Sequence, residues 1–304
     1  MKNVVVTGAG GFVGSALVRV LSENGIHVFA VVHGSRDFST LKEISGVEPV
    51  LCDMREVMSL PEIVRHTADT WFHLAWAGAT GNARADYRLQ LSSVEWAVDA
   101  VNAAKQMGCR RFVGIGTLAE MDASVCASKN GSVPRPVSCY GSAKLAAHYI
   151  SKAECGRVGL EHIWTYLANV YGPGDMTSNF INTTIRTMLS GKPVGFTEAL
   201  HTYDFVYIDD AAQGIYQAGK AGKANYAYYV GSAEPRPLRT YITEIRDAID
   251  PNIELNFGVM PFNGVVQPDS LFDCRPLMTD TEYMPIISFE DGIRKAIEAI
   301  REMQ

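Results

Sequence analysis

The sequence predicts an α/β fold, a doubly wound parallel sheet with a smaller mixed lobe toward the C-terminus. Three observations predict it. Apolar runs of strand length alternate with stretches of helical period over much of the chain. The first run turns into its helix through glycines at positions 8, 11 and 14. The last third loses the alternation and mixes shorter units. The chain's 304 residues suffice for one large α/β domain with an appended lobe. The expected division is 1–170 for the sheet domain, with later segments returning to it, and 171–304 mainly for the lobe.

Val4, Val5 and Val6 form a continuous β-branched run, the pattern of a strand buried on both faces. It breaks at Thr7-Gly8. Beyond Gly11, Phe12, Val13, Leu17 and Val20 fall at helical spacing. Gly8 permits a tight turn, Gly11 lets a ligand's phosphate approach the backbone, and Gly14 lets the helix press on the strand. The open N–H groups and positive dipole end of this helix suit a pyrophosphate. The unit therefore points to a bound dinucleotide.

A second strand covers Val28 to Val32. An NAD-binding unit carries an acidic residue near this strand's end for the ribose 2′-hydroxyl. That place falls on Val32, followed by His33, Gly34, Ser35 and Arg36. An apolar residue there removes the repulsion of a 2′-phosphate, and His33, Ser35 and Arg36 can bind one. The expected cofactor is NADP, with NAD the alternative. Further strands are expected at 47–52, 71–75, 111–115 and 160–167. A helix over roughly 84–107 carries Leu91, Val94, Val98 and Val101. Gly8, Val32, Asp53, Ala75 and Thr117 all fall at strand ends and should face one crevice. Residues 122–137, with two prolines, read as a loop. A helix then opens near Ser138. The C-terminal third holds helices near 178–190, from Asp209, at 238–249 and at 289–302, with strands at 205–208 and 226–230.

The net charge is −6 with no basic block, which speaks against nucleic-acid binding. No apolar run is long enough to span a bilayer. The first residues already read as a core strand, so no signal peptide is expected. Six scattered cysteines without a C-x-x-C pair fit a reducing cytoplasm and no structural zinc. No cluster has metal-ligand spacing.

Tyr140 and Lys144 stand at i and i+4, on one face of a helix. A nearby ammonium favours the phenolate and lowers a tyrosine pKa. Such a tyrosine exchanges a proton with a carbonyl or alcohol oxygen. Thr117, at a strand end, supplies a second hydroxyl.

Seven stretches together resemble the extended short-chain dehydrogenase/reductase superfamily, in its nucleotide-sugar epimerase/dehydratase/reductase group. They are Thr7-Gly-Ala-Gly-Gly-Phe-Val-Gly14, Asp53-Met54, His73-Leu-Ala-Trp76, Gly116-Thr117, Tyr140-Gly-Ser-Ala-Lys144, Asn169-Val-Tyr-Gly-Pro173 and Asp204-Phe-Val-Tyr-Ile-Asp-Asp210. The resemblance implies a Rossmann-type fold. It implies Tyr140 as acid/base, Thr117 as its hydroxyl partner, and Lys144 as the group that holds the nicotinamide ribose and tunes Tyr140. It implies Asp53 and Met54 beside the adenine, Leu74, Ala75 and Trp76 along the cofactor, and Leu167 and Val170 beside the nicotinamide. It places Ala77, Asn169, Asn179 and Tyr203 toward a nucleotide-sugar substrate. It also implies a homodimer formed through helices near 84–107 and 140–155.

The departures narrow the activity. In 4,6-dehydratases of this group an Asp-Glu pair follows the catalytic threonine; here Leu118-Ala119 stand there. The group's asparagine in the long helix is replaced by Ser93. The arginine that holds a substrate phosphate before Asp-Phe-Val is replaced by Tyr203, with Arg186, Arg236, Arg239 and Arg275 as possible substitutes. The expected activity is NADP-dependent reduction of the 4-keto group of a nucleotide-linked 6-deoxy sugar. The alternatives are a nucleotide-sugar 4-epimerase retaining NAD, a reductase of an unrelated small carbonyl, and a cofactor-sensing binding protein.

Overall fold

A computed structural model describes residues 1–303, apart from the side chains of Ser35, Arg36 and Asp37. The expectation that Ser35 and Arg36 meet a 2′-phosphate therefore lies outside the described residues.

The first half alternates strands and helices: β1 (Asn3–Thr7), α1 (Phe12–Glu23), β2 (His27–Val32), α2 (Ser35–Lys42), β3 (Val47–Leu51), α3 (Leu60–Val64), β4 (Thr70–His73), α4 (Tyr87–Gln106) and β5 (Arg111–Thr117). After α5 (Ala119–Ser128) and α6 (Ser138–Val158) come β6 (Glu161–Leu167), β7 (Asn169–Tyr171), α7 (Phe180–Leu189), β8 (Val194–Gly195), β9 (Thr202–Tyr203) and β10 (Phe205–Tyr207). The chain ends with α8 (Ile208–Ala221), β11 (Tyr226–Val230), β12 (Arg236–Pro237), α9 (Leu238–Ile249), β13 (Leu255–Asn256), α10 (Arg275–Asp280) and α11 (Phe289–Glu302).

Seven strands form one parallel sheet in the order β11-β6-β5-β4-β1-β2-β3. The chain winds outward from β1 to β3, then crosses back to β4 on the other side of β1. The carboxyl ends of β1 and β4 thus flank the topological switch point, where such sheets bind ligands. Val4 and Val6 point into one apolar layer and Val5 into the other, so the run is buried on both faces. α1 and α8 cover one face; α3, α4 and α6 cover the other. Pro49 sits in β3, an edge strand, where a missing ladder donor costs little.

The C-terminal third does return to the sheet: β11 pairs with β6 from Tyr226↔Ile163 to Val230↔Leu167. The remaining units pack around Phe205, Tyr241 and Phe289. One expectation fails. The first part of the stretch read as a loop, through Ser128, is α5. Ala, Glu and Met favour a helix there. Only Glu120 and Ala123 of α5 are buried, so no apolar stripe announced it. Pro134 and Pro136 confine the true loop to the stretch beyond Lys129.

Candidate active site

Two cavities open at the carboxyl ends of the strands. The first, about 810 Å³, is walled by Gly8, Gly11, Val32, His33, Asp53, Met54, Leu74, Ala75, Trp76 and Ala77. Gly8 has φ +72°, and a Cβ on it would stand 2.7 Å from the Ala75 backbone nitrogen. A Cβ on Gly14 would stand 2.0 Å from the Gly8 carbonyl. These glycines bring the end of β1, the start of α1 and the end of β4 into backbone contact. α1 starts from Gly11 with no side-chain capping bond and no acid in its first turn. Its leading N–H groups are left for a ligand. Phe12 and Val13 turn their side chains into the core, so only their backbones are suited to a ligand. Val32 is buried and puts no carboxylate at the end of β2, while His33 is exposed on the cavity wall. Asp53 caps the next turn through the Arg55 N–H and forms a bidentate pair with the Arg55 guanidinium at 2.9 and 2.8 Å. That pairing holds its carboxyl down at about 2. The cavity fits a dinucleotide.

The second cavity, about 290 Å³, is walled by Thr117, Leu118, Asp122, Asn169, His201 and Tyr203, with Arg84 and Arg135. Thr117 therefore faces the neighbouring cavity rather than the one shared by Gly8, Val32, Asp53 and Ala75. Ala77 lies on the dinucleotide side, where its N–H donates to Ser93 Oγ at 3.2 Å. Asn179 lies farther out, beside a third, largely apolar cavity, and its amide is committed to caps. Asn182 N–H donates to its Oδ1 at 2.8 Å, and its Nδ2 donates to Asp175 at 2.6 Å. Leu167 and Val170 pack on the core and line neither of the first two cavities.

Tyr140 and Lys144 sit behind the walls of these two cavities. The Tyr140 ring meets Trp76 edge-on at 6.2 Å, and the Arg84 guanidinium covers it at 4.4 Å. Lys144 lies under the Trp76 ring at 4.0 Å and donates to the Ile115 carbonyl at 2.7 Å. Gln90 of α4 fixes this cover. It accepts from Trp76 Nε1 at 2.8 Å and donates to Gly78 and Ala83 at 2.9 and 3.0 Å. Burial pushes the Tyr140 phenol above its ordinary value, against the opposing effects of Arg84 and the Thr117 hydroxyl. This corrects the expectation that Lys144 makes Tyr140 a ready phenolate. Lys144 is itself pushed down to about 8 by burial.

Glu120 was not anticipated. It is fully buried and forms a capping box with Thr117. Thr117 N–H donates to Glu120 Oε1 at 2.8 Å, and Ala119 N–H donates to Thr117 Oγ1 at 3.3 Å. Trp164 Nε1 donates to Glu120 Oε2 at 3.2 Å. The Thr-x-x-Glu spacing was a legible signal for this cap. Glu120 thereby fixes Thr117 and stays turned away from the cavity. His73 is structural: it pairs with Thr7 Oγ1 at 2.9 Å, and burial pushes it down to about 3. Asp210 is structural too, accepting from the Ile286 and Ile287 N–H groups at 3.1 and 2.9 Å. Among the described residues no group of His, Cys, Asp and Glu is arranged to hold a metal, and no helix is long and apolar enough to cross a membrane.

A family model described as the NAD dependent epimerase/dehydratase family matches residues 4–231. The chain belongs to this family. It is 23% identical over 331 residues to a dTDP-glucose 4,6-dehydratase of Neisseria gonorrhoeae, covering 98% of this chain and 95% of that protein. It is 25% identical over 251 residues to a dTDP-4-dehydro-6-deoxy-D-allose reductase of Streptomyces sp., covering 74% and 76%. Its fold matches a UDP-glucuronic acid 4-epimerase of Bacillus cereus, solved with NAD, at a TM-score of 0.80 and 21% identity over the whole of both chains. In this member of the family Leu118-Ala119 follow the threonine and Trp76 lies over Lys144.

Proposed function

We propose that this chain is an NADP-dependent reductase of the 4-keto group of a nucleotide-linked 6-deoxy sugar. One observation carries the reading: the Tyr140 phenol stands beside the hydroxyl of Thr117, which lines the second cavity where Leu118 and Ala119 supply no acid-base pair. A phenol paired with a second hydroxyl can give a proton to a carbonyl oxygen as hydride arrives at its carbon. When bound, the nicotinamide supplies the hydride. Thr117 orients the carbonyl oxygen, Tyr140 delivers the proton, and the Lys144 ammonium holds the ribose. Water elimination needs both an acid and a base. Among the described residues the second cavity's wall offers one carboxyl, Asp122, already bonded to Gln267. The apolar end of β2, with His33 beside it, supports NADP over NAD. A nucleotide sugar would set its sugar near Thr117, pass His201 and Tyr203, and place its base in the third cavity. That cavity measures about 510 Å³ and is lined by Phe180, Phe196 and Phe262. The protein is further proposed to act as a homodimer.

The test is the cofactor content of freshly purified protein, followed by turnover of 4-keto-6-deoxy nucleotide sugars with NADPH. An empty site that binds NADPH over NADH, and NADPH-dependent consumption of the ketone, supports the reductase. Tightly retained NAD with no net reduction overturns it in favour of an epimerase.

A further inference from the structure

The family's phosphate-holding arginine is absent at Tyr203, and the four arginines expected to replace it do not. Arg236 is tied to Glu244 at 2.6 Å and stacked on Tyr241. Arg239 is tied to Glu198 at 3.2 Å, and Arg275 to Asp273 at 2.8 Å. Arg186, on α7, lines none of the three cavities. Two other arginines, Arg84 and Arg135, line the cavity that Thr117 faces. Among the described residues neither makes an ion pair. Arg84 Nε is buried without a hydrogen-bond partner, and its guanidinium is already set over the Tyr140 ring at 4.4 Å. A buried guanidinium nitrogen without an acceptor is costly unless a ligand supplies one. Asp122 is the carboxyl on the same wall, within the field of both arginines, and it is bonded to Gln267. One carboxylate against two guanidiniums leaves the wall positive.

We propose that Arg84 and Arg135 form an oxyanion clamp at the reacting end of the substrate cavity. It takes the diphosphate of the proposed 6-deoxy substrate; a sugar carboxylate, which a 6-deoxy sugar lacks, is the other oxyanion that the test separates. The clamp rests on the nucleotide-sugar reading only for the identity of its ligand. Planar guanidiniums bind either oxyanion through paired N–H donors. The clamp also ties substrate binding to the catalytic tyrosine, because Arg84 touches both.

The experiment is calorimetric titration of the wild type and of an Arg84→Met/Arg135→Met variant. The probes are inorganic pyrophosphate, UDP, dTDP, UDP-glucose and UDP-glucuronate. NADPH binding is the control for folding and is expected to stay within about twofold. The variant is expected to lose about tenfold or more in affinity for the anions. A loss greater for UDP-glucuronate than for UDP-glucose assigns the clamp to a sugar carboxylate and removes the 6-deoxy reading. Equal losses extending to UDP and pyrophosphate assign it to the diphosphate. Arginine-dependent pyrophosphate binding, with no nucleoside diphosphate bound, upholds the clamp and removes the nucleotide-sugar reading. Unchanged affinities with NADPH binding intact overturn the clamp, as does a wild type that binds none of the anions. Should the double variant lose NADPH binding, Arg84→Lys and Arg135→Gln are compared singly with the wild type, and wild-type anion affinity in both overturns the clamp.

Discussion

Burial acts in opposite directions on Tyr140 and Lys144, raising the phenol and lowering the ammonium, so each is pressed toward its neutral form. Replacing Tyr140 by Phe removes the proton donor and leaves the ring packing on Trp76. Turnover should fall about a hundredfold or more, with NADPH affinity unchanged. Near-normal turnover would take Tyr140 out of its role. For Lys144, the folded chain releases its proton near pH 8 and the unfolded chain near 10.5. Between those values the unfolded state binds more protons, so this residue makes stability rise with pH. Below them both states are charged, and burying the ammonium costs roughly 3 kcal/mol. Lys144→Met should therefore be more stable than wild type near neutral pH, with the difference shrinking toward pH 10. Urea unfolding of both proteins across that range checks it. The comparison must be between the two proteins, because the buried thiols of Cys109 and Cys155, pushed up to about 12, pull stability the other way in alkali.

At the scale of elements, two backbone junctions position the site. The capping box at the head of α5 holds Thr117 through Glu120. Glu120→Ala leaves the Thr117 N–H and Trp164 N–H donors buried without partners, a cost of about 1–3 kcal/mol each. Chemical denaturation should show that loss, and Glu120→Gln, which keeps an acceptor oxygen, should recover part of it. Equal stability of the alanine variant would dissolve the capping argument. The other junction is the β1–α1 turn. Gly14→Ala puts a methyl group 2.0 Å from the Gly8 carbonyl, forcing α1 off the turn. It should cost about 1–3 kcal/mol and weaken dinucleotide binding. Gly156→Ala in α6 meets nothing within 4 Å and serves as the control. It should be neutral or stabilising by up to about 1 kcal/mol. A Gly14→Ala variant as stable as the Gly156→Ala control would remove the close-approach argument.

At the scale of the whole molecule, the neighbouring helices α4 and α6 leave large apolar side chains in solvent. Leu91 is 61% exposed and Tyr149 62%, with Tyr87 and Ile150 also exposed. Large apolar exposure on adjacent helices is the mark of a face that meets a partner. A two-fold pairing of α4 and α6 would bury all four in a self-complementary interface. Leu91→Glu/Tyr149→Glu should convert a dimer into a monomer in analytical ultracentrifugation. A wild-type monomer, or a variant that stays dimeric, would remove this interface. The two helices also carry Gln90, Ser93, Tyr140 and Lys144, so pairing would stiffen the elements that hold the site.

Strand runs, helical periods, the glycine turn and the Tyr140–Lys144 spacing were all legible in the sequence, because each depends on residues close in the chain. So were the switch-point cleft and most of its wall, since parallel winding brings strand ends together. α5 was not legible, because a helix that buries so little of itself carries no apolar period. The direction in which its surroundings shift Tyr140 was not legible, because spacing shows which residues share a face and not what covers them. Trp76 above Lys144, Arg84 above Tyr140 and Glu120 behind Thr117 come from a loop, a helix head and a strand packed around one point. Desolvation and charge at that point are sums over all of these neighbours. Local sequence therefore determined the sheet and the Tyr140–Lys144 pair, and only the tertiary structure decided what covers that pair and which arginines line the cavity beside it.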